Sequence, residues 1–184
     1  MADTLWQTKA KIIREYLDTS PKVVIDLGCH YGELLSMVKR ENDSAIGIDS
    51  DLEALTKVPK GIETFCFDLN RFDGHMFSEK ADIVLCLELI EHLIFPQNVL
   101  KVAYRILKPN GLFFLSTPIF DFGKKVYALF NWEHFFKYDG EHIRFYTEKE
   151  IRRLIKTTEF KILKVMRLGR IFPFNKDILF ICQK

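Results

Sequence analysis

Val23-Val-Ile-Asp-Leu-Gly-Cys-His-Tyr-Gly32 is the stretch that decides the fold. Its first half is a short apolar run of the kind used by a parallel strand buried on both faces. Its second half carries two glycines, which let backbone turn tightly and come close to a ligand. Helical spacing begins at about Gly32 and holds to Lys39. A strand, a glycine-bearing loop and a helix in that order place the loop at the carboxyl end of the first strand, where doubly wound sheets bind their ligands.

The same alternation extends outward from this unit. Upstream, Leu5, Ile12, Ile13, Tyr16 and Leu17 recur at helical spacing until Ser20-Pro21, so residues 1–20 form an N-terminal helix. Downstream, strands are predicted at Ala45 to Asp49, Ile62 to Phe67, Ala81 to Leu87 and Leu112 to Thr117, with helices from Asp51 and over Gln97 to Leu107. Lys108-Pro-Asn-Gly111 stops the last of these helices. A helix over Thr147 to Thr157 follows, and two strand-like runs, Lys161 to Leu168 and Asp177 to Cys182, end the chain as a hairpin on the sheet edge. Alternating strands and helices imply a parallel sheet covered on both faces.

Composition narrows the class. At 184 residues and 48% apolar content the chain builds one well-buried core, and a single domain over 1–184 is expected. Cys29, Cys66, Cys86 and Cys182 form no CxxC pair and read as reduced residues, not as a disulfide or zinc framework. Residues 1–16 mix charged and apolar side chains, unlike a targeting leader, and no apolar run approaches a membrane span, so a cytoplasmic location and no membrane partner are expected. Charge is uneven: residues 1–100 hold 10 Lys/Arg against 17 Asp/Glu, and residues 101–184 hold 17 against 8. The C-terminal half favours an anionic partner, or else Lys149, Arg152, Arg153 and Lys156 are the solvated face of one helix. A nicotinamide site would need G-x-G-x-x-G, but His30 and Glu33 stand where its second and third glycines belong.

Asp26-x-Gly28-x-His30-x-Gly32 resembles the first motif of class I S-adenosylmethionine-dependent methyltransferases, written D-x-G-x-G-x-G, with His30 at the middle glycine. If that position takes a positive φ, His is among the residues able to adopt it at a cost, with a side chain that could crowd the cofactor. Gly47-Ile-Asp49, Phe67-Asp-Leu-Asn70, Leu107-Lys-Pro-Asn-Gly-Leu112 and Ser116-Thr-Pro118 resemble the same family in order. The resemblance implies a doubly wound, seven-stranded, mostly parallel α/β sheet with strand order 3-2-1-4-5-7-6, the last strand antiparallel, and helices on both faces. It implies S-adenosyl-L-methionine as cofactor. Asp26 would face the methionine end, Gly28, Cys29, His30 and Gly32 would form the loop around it, and Asp49 with Ser50 would take the ribose hydroxyls. Asp68 would take the adenine amino group, Leu69 would pack on the ring, and Leu87 would close the fourth strand's edge. Asp49 or Asp68 could instead simply cap the helix after its strand.

An activated sulfonium methyl leaves the protein to align a nucleophile, exclude water and remove a proton. Candidate bases are His142, His134 and Glu88. If a helical turn begins after Leu87, Glu88, Glu91 and His92 share one face. With His142 this E-x-x-E-H set resembles the metal site of small-RNA 2′-O-methyltransferases and ubiquinone-pathway O-methyltransferases, which implies Mg²⁺, Mn²⁺ or Zn²⁺ polarising a hydroxyl. Glu91 and His92 could equally be packed locally. Residues 118–146 hold 10 of the 25 aromatic residues and form either a lid over the acceptor or a homodimer interface.

The expected activity is methyl transfer to an oxygen or nitrogen of a small, anionic metabolite. Two alternatives stand beside it: metal-assisted RNA 2′-O-methylation, although no RNA-binding module is recognised, and a non-catalytic regulatory protein. The run Asp26 to Leu35 and the region Ser116 to Phe122 are similar to a methionine-biosynthesis accessory protein of the same fold.

Overall fold

In the computed structural model the described residues are 4–20, 22–120, 130, 143–169 and 175–184. Along them run α1 (Thr4–Arg14), β1 (Val23–Leu27), α2 (Glu33–Val38), β2 (Ser44–Asp49), α3 (Leu52–Thr56), β3 (Glu63–Cys66) and β4 (Ala81–Leu87). Then come α4 (Pro96–Ile106), β5 (Leu107–Pro118), α5 (Glu148–Ile155), β6 (Lys161–Gly169) and β7 (Asn175–Gln183). Single 3₁₀ turns at His75–Phe77 and Ile90–His92 flank β4.

The strands make one seven-stranded sheet in the order β3-β2-β1-β4-β5-β7-β6. β1 to β5 pair in parallel, while β7 runs antiparallel to both β5 and β6. The winding reverses at β1, whose Asp26 lies between Gly47 of β2 and Leu85 of β4. The crevice created there is the binding position of an open α/β sheet.

Strand periodicity sends alternate residues to opposite faces, and each face has its own core. Ile25, Leu27, Val84, Cys86, Phe113 and Phe180 pack against Val99, Leu100 and Ala103 of α4 and Ile151 and Ile155 of α5. Val24, Leu85, Leu87, Phe114 and Ile181 pack against Ala10 and Ile13 of α1 and Leu34, Leu35 and Val38 of α2. Thr147 starts α5 with a capping box, its side chain and that of Glu150 answering each other's backbone N–H. No helix among the described residues is long and apolar enough to cross a membrane.

Two boundaries differ from expectation: the N-terminal helix, expected to residue 20, ends at Arg14, with Glu15 and Tyr16 in a turn beyond it, and the strand expected from Leu112 starts earlier. β5 begins at Leu107, which pairs with Ala81, and a bulge separates that pair from Ile83 and Leu112. Asn110 takes φ 64° there, and a Cβ on Gly111 would sit 2.9 Å from the Lys108 carbonyl oxygen. The turn predicted between helix and strand is thus a bulge inside the strand's span.

The 118–146 stretch leaves and returns at one place. Ile119 and Tyr146 form a parallel bridge, and the Phe120 N–H donates to the Tyr146 carbonyl at 2.8 Å. The expected lid or dimer interface within this stretch falls mostly outside the described residues.

Candidate functional site

The loop after β1 is built from left-handed backbone. Gly28, His30 and Gly32 take φ of 82°, 47° and 70°. Glycine does so without strain, whereas a histidine does so at some cost. The Gly28 and Cys29 N–H groups both donate to the Ile48 carbonyl, which ties the loop to β2. That close approach needs Gly47, where a Cβ would stand 2.6 Å from Cys29 Sγ.

Asp49 completes the anchoring. Its Oδ2 accepts from the His30 backbone N–H at 2.8 Å and its Oδ1 from the Asp51 N–H at 3.0 Å. The carboxylate that caps α3 is Asp51, which accepts from the Ala54 N–H at 3.0 Å. Asp49 is therefore not spent as a cap, and each of its oxygens keeps acceptor capacity. Asp68 does local work, accepting from the backbone and side-chain N–H groups of Asn70, which hold its carboxyl below the usual range.

A cavity of about 470 Å³ opens on this loop. Asp26, Gly28, Cys29, His30, Tyr31, Glu33, Leu34 and Asp49, together with Leu87, Glu88, Leu89, His92 and Trp6, line it. Of the residues expected around the cofactor, Asp26, Gly28, Cys29, His30, Asp49 and Leu87 meet here. Gly32, Ser50, Asp68 and Leu69 are not on its wall. His30 is exposed and its ring leans on Tyr31 at 3.8 Å between centroids, so it sits at the rim and leaves the cleft open.

Asp26 is 4% exposed, and its carboxyl is pushed up to about 7 by burial, with the Asp49 charge adding to the effect. Glu88 follows β4 in a left-handed conformation, φ 53°. Its Oε1 accepts from Ser116 Oγ at 2.6 Å and from Lys9 Nζ at 2.6 Å. Lys9 also meets Asp177 Oδ2 at 2.7 Å, and its side chain is 1% exposed. Burial raises the Glu88 carboxyl, and Lys9 opposes that rise.

The described members of the expected metal set, Glu88, Glu91 and His92, do not gather as ligands, and the reason is backbone geometry. The 3₁₀ turn begins only at Ile90, so the left-handed Glu88 is not on a shared helical face with Glu91 and His92. Glu91 turns into the core, where its Oε2 accepts from Thr117 Oγ1 at 2.9 Å. Lys9 Nζ occupies the position beside Glu88 Oε1 that a cation would take. Among the described residues no three His, Cys, Asp or Glu side chains gather as metal ligands, and these carboxylates do not fit a shared ion. His142 and His134 lie outside the described residues. Arg144 holds the returning chain, donating to the Ile94 carbonyl at 2.9 Å.

Trp6 and Lys9 escaped the sequence reading, yet a signal existed. Lys9 falls three and four residues from Trp6, Leu5, Ile12 and Ile13, in the middle of the apolar face of α1. A lysine there needs buried counter-charges.

Comparison with known proteins agrees with this geometry. A family model described as a methyltransferase domain matches residues 5–165. The ubiquinone biosynthesis O-methyltransferase of Coxiella burnetii is 25% identical over 187 residues, covering 92% of this chain and 79% of that protein. That of Pseudomonas paraeruginosa is 30% identical over 114 residues, covering 57% of this chain and 48% of its own. The solved structure of a SAM-dependent methyltransferase from Archaeoglobus fulgidus superposes with a TM-score of 0.75 at 17% identity, covering 97% of this chain and 94% of that one, a likeness of fold.

Proposed function

The chain belongs to the methyltransferase-domain family of S-adenosylmethionine-dependent enzymes, and on that premise we propose that it moves a methyl group to an oxygen of a small, anionic metabolite. The bound donor supplies a sulfonium methyl, an electrophile that needs no further activation. Oxygen is preferred to nitrogen because the relatives are named O-methyltransferases of ubiquinone biosynthesis.

The observation that carries the reading is the charge of the cleft. Asp26, Glu33, Asp49 and Glu88 line it, against His30 and His92, and even with Lys9 paired to Glu88 and the Asp26 carboxyl pushed up to about 7 the balance is negative and grows with pH. Such a wall attracts a ligand with a net positive charge and holds the neutral thioether left after transfer less well. Asp49, at the β2 end, is the acceptor for a ribose diol. Gly28 lets backbone come against the donor, and Asp68, half exposed, extends the adenine side beyond the cavity wall, whereas Leu69, expected against the ring, is packed into the core. Leu89 and Trp6 exclude water from the methyl-bearing end.

The acceptor approaches from the side of β4 and β5, where residues 120–146 rejoin the frame. His142 or His134 takes its proton, and the basic C-terminal half draws the anion in. The same stretch serves as lid, as dimer interface or as both. The protein works in the cytoplasm.

Calorimetry with S-adenosylmethionine and with its demethylated product tests the donor site before any acceptor is known. The expected result is one site per chain with tighter binding of the donor. Transfer of labelled methyl to small hydroxylated anions then identifies the acceptor class. Binding of neither ligand would end the reading.

A further inference from the structure

The Lys9 cluster has a feature that packing alone does not require. A buried lysine held by one buried and one half-buried carboxylate is harder to accommodate than an apolar side chain of similar volume, so a helix that needed only to dock would do better with leucine or methionine. Lys9 Nζ lies 2.6 Å from Glu88 Oε1 and 2.7 Å from Asp177 Oδ2, and 4.8 Å from the centre of the Trp6 ring. It joins α1 to the end of β4 and to β7. Ser116 of β5 donates to the same Glu88 oxygen, so both donors hold Oε1. Oε2 has no protein donor among the described residues, and Glu88 lines the cleft with its side chain 23% exposed.

Register fixes the end of the cleft to which this oxygen belongs. Asp49 closes β2 on one side of β1, while Leu87 of β4 pairs with Ser116 on the other. Glu88 therefore lies across β1 from Asp49. A donor whose ribose rests on Asp49 extends its amino-acid end toward Glu88.

We propose that Lys9 is a positioning residue: it pins Glu88 by one oxygen and so presents the other to the α-ammonium group of the bound methyl donor. The assignment rests on the donor reading above. It makes α1 part of the donor site through a side chain that never touches the ligand, acting on a Glu88 that stands in a left-handed turn just past the end of β4.

The test compares three ligands by calorimetry on the full chain: S-adenosylmethionine and its demethylated product, which both carry the ammonium, and 5′-methylthioadenosine, which shares the neutral thioether of that product but lacks the amino-acid end, so the product must follow S-adenosylmethionine in every variant below. Glu88→Gln keeps an acceptor for Lys9 but removes the charge; it should weaken S-adenosylmethionine tenfold or more and leave methylthioadenosine within twofold. The pair Lys9→Met with Asp177→Asn removes one charge of each sign, so the cluster keeps its net charge. It should reproduce the selective loss, with less than a twofold further effect in the Glu88→Gln background. If that pair does not fold, Lys9→Arg takes its place, and by displacing Glu88 it should shift S-adenosylmethionine affinity several-fold, with methylthioadenosine unmoved and the shift gone in the Glu88→Gln background. Equal loss of all three ligands, unchanged affinity for all three, or additive effects would overturn the assignment. Binding of methylthioadenosine alone by the unaltered protein would overturn it while leaving the adenosyl cleft standing; binding of none of the three would remove the donor reading and the assignment with it.

Discussion

The backbone N–H of His30 donates to Asp49 Oδ2 over 2.8 Å, so the residue standing at the motif's middle-glycine position aims the carboxylate that faces the cleft. The contact depends on the backbone of His30 and not on its imidazole. It also makes Asp49 a member of the loop, tied at one oxygen to β1's turn and at the other to the start of α3.

Replacing Asp49 by Ala should therefore remove two functions together. Two charge-assisted hydrogen bonds to a diol are worth about 3 kcal/mol, and the His30 and Asp51 N–H groups lose their acceptor. Donor affinity should fall about a hundredfold or more in calorimetry. Asp49→Asn, which retains one oxygen, should fall less. Equal binding by Asp49→Ala and the unaltered protein would reject the ribose assignment.

His30 itself should tolerate glycine. At φ 47° a glycine is unstrained, so His30→Gly should melt no lower than the unaltered protein and keep donor affinity within a few-fold. A β-branched residue is poorly suited to that conformation, and His30→Val should cost about 2 kcal/mol in denaturant unfolding. Loss of binding in His30→Gly would mean that the imidazole, not the backbone, serves the site.

Asp26 predicts a pH dependence of definite sign. Burial and the neighbouring Asp49 charge raise its folded pKa to about 7, well above the ordinary carboxyl value of 3.8. Its contribution to stability is therefore fully present below that unfolded value and is lost as pH rises through about 7. Asp26→Asn should raise the ligand-free melting temperature most at pH 8 and hardly at all near pH 4, and the gain at pH 8 is on the order of a few kcal/mol. Donor binding should run the other way, strengthening from pH 6 to 8 in the unaltered protein as the carboxylate forms, and staying weak and less dependent on pH in the variant.

Gly47 and Cys29 should behave as a coupled pair. A methyl at position 47 meets Cys29 Sγ at 2.6 Å, so Gly47→Ala should cost about 1–3 kcal/mol by overpacking. Adding Cys29→Ala should recover much of that loss, giving a coupling energy of about 1 kcal/mol or more in a double-mutant cycle. Additive losses would show that the loop can move away from β2.

Much of this was legible in the chain because burial imposes periodicity. Ala81 to Leu87 was readable as a strand to its end residues, and the helix expected from Thr147 starts one residue on, at Glu148. The loop Asp26 to Gly32 was readable because the end of the first strand is where a doubly wound sheet opens its crevice, whereas Asp49 came from the resemblance, and the structure brings Asp26, Gly28 and Asp49 onto one cavity wall. The failures share another origin. Glu88, Glu91 and His92 read as one helical face, but a left-handed Glu88 breaks the spacing, and no residue type at 88 signals that conformation. Lys9 and Asp177 sit at opposite ends of the sequence, and only the closure of β7 beside β5 brings them together. Local pattern reports which face a residue is on, whereas the partner across the core belongs to topology.

A single bridge joins Ile119 to Tyr146, so the intervening chain departs from and rejoins the scaffold at one doorway. Doubling the length of a flexible closed segment costs only about 0.6 kcal/mol of closure entropy. Chain added between Ile119 and Tyr146 therefore burdens the frame little, because β5 takes its register from β4 and β7 whatever length the bridge closes.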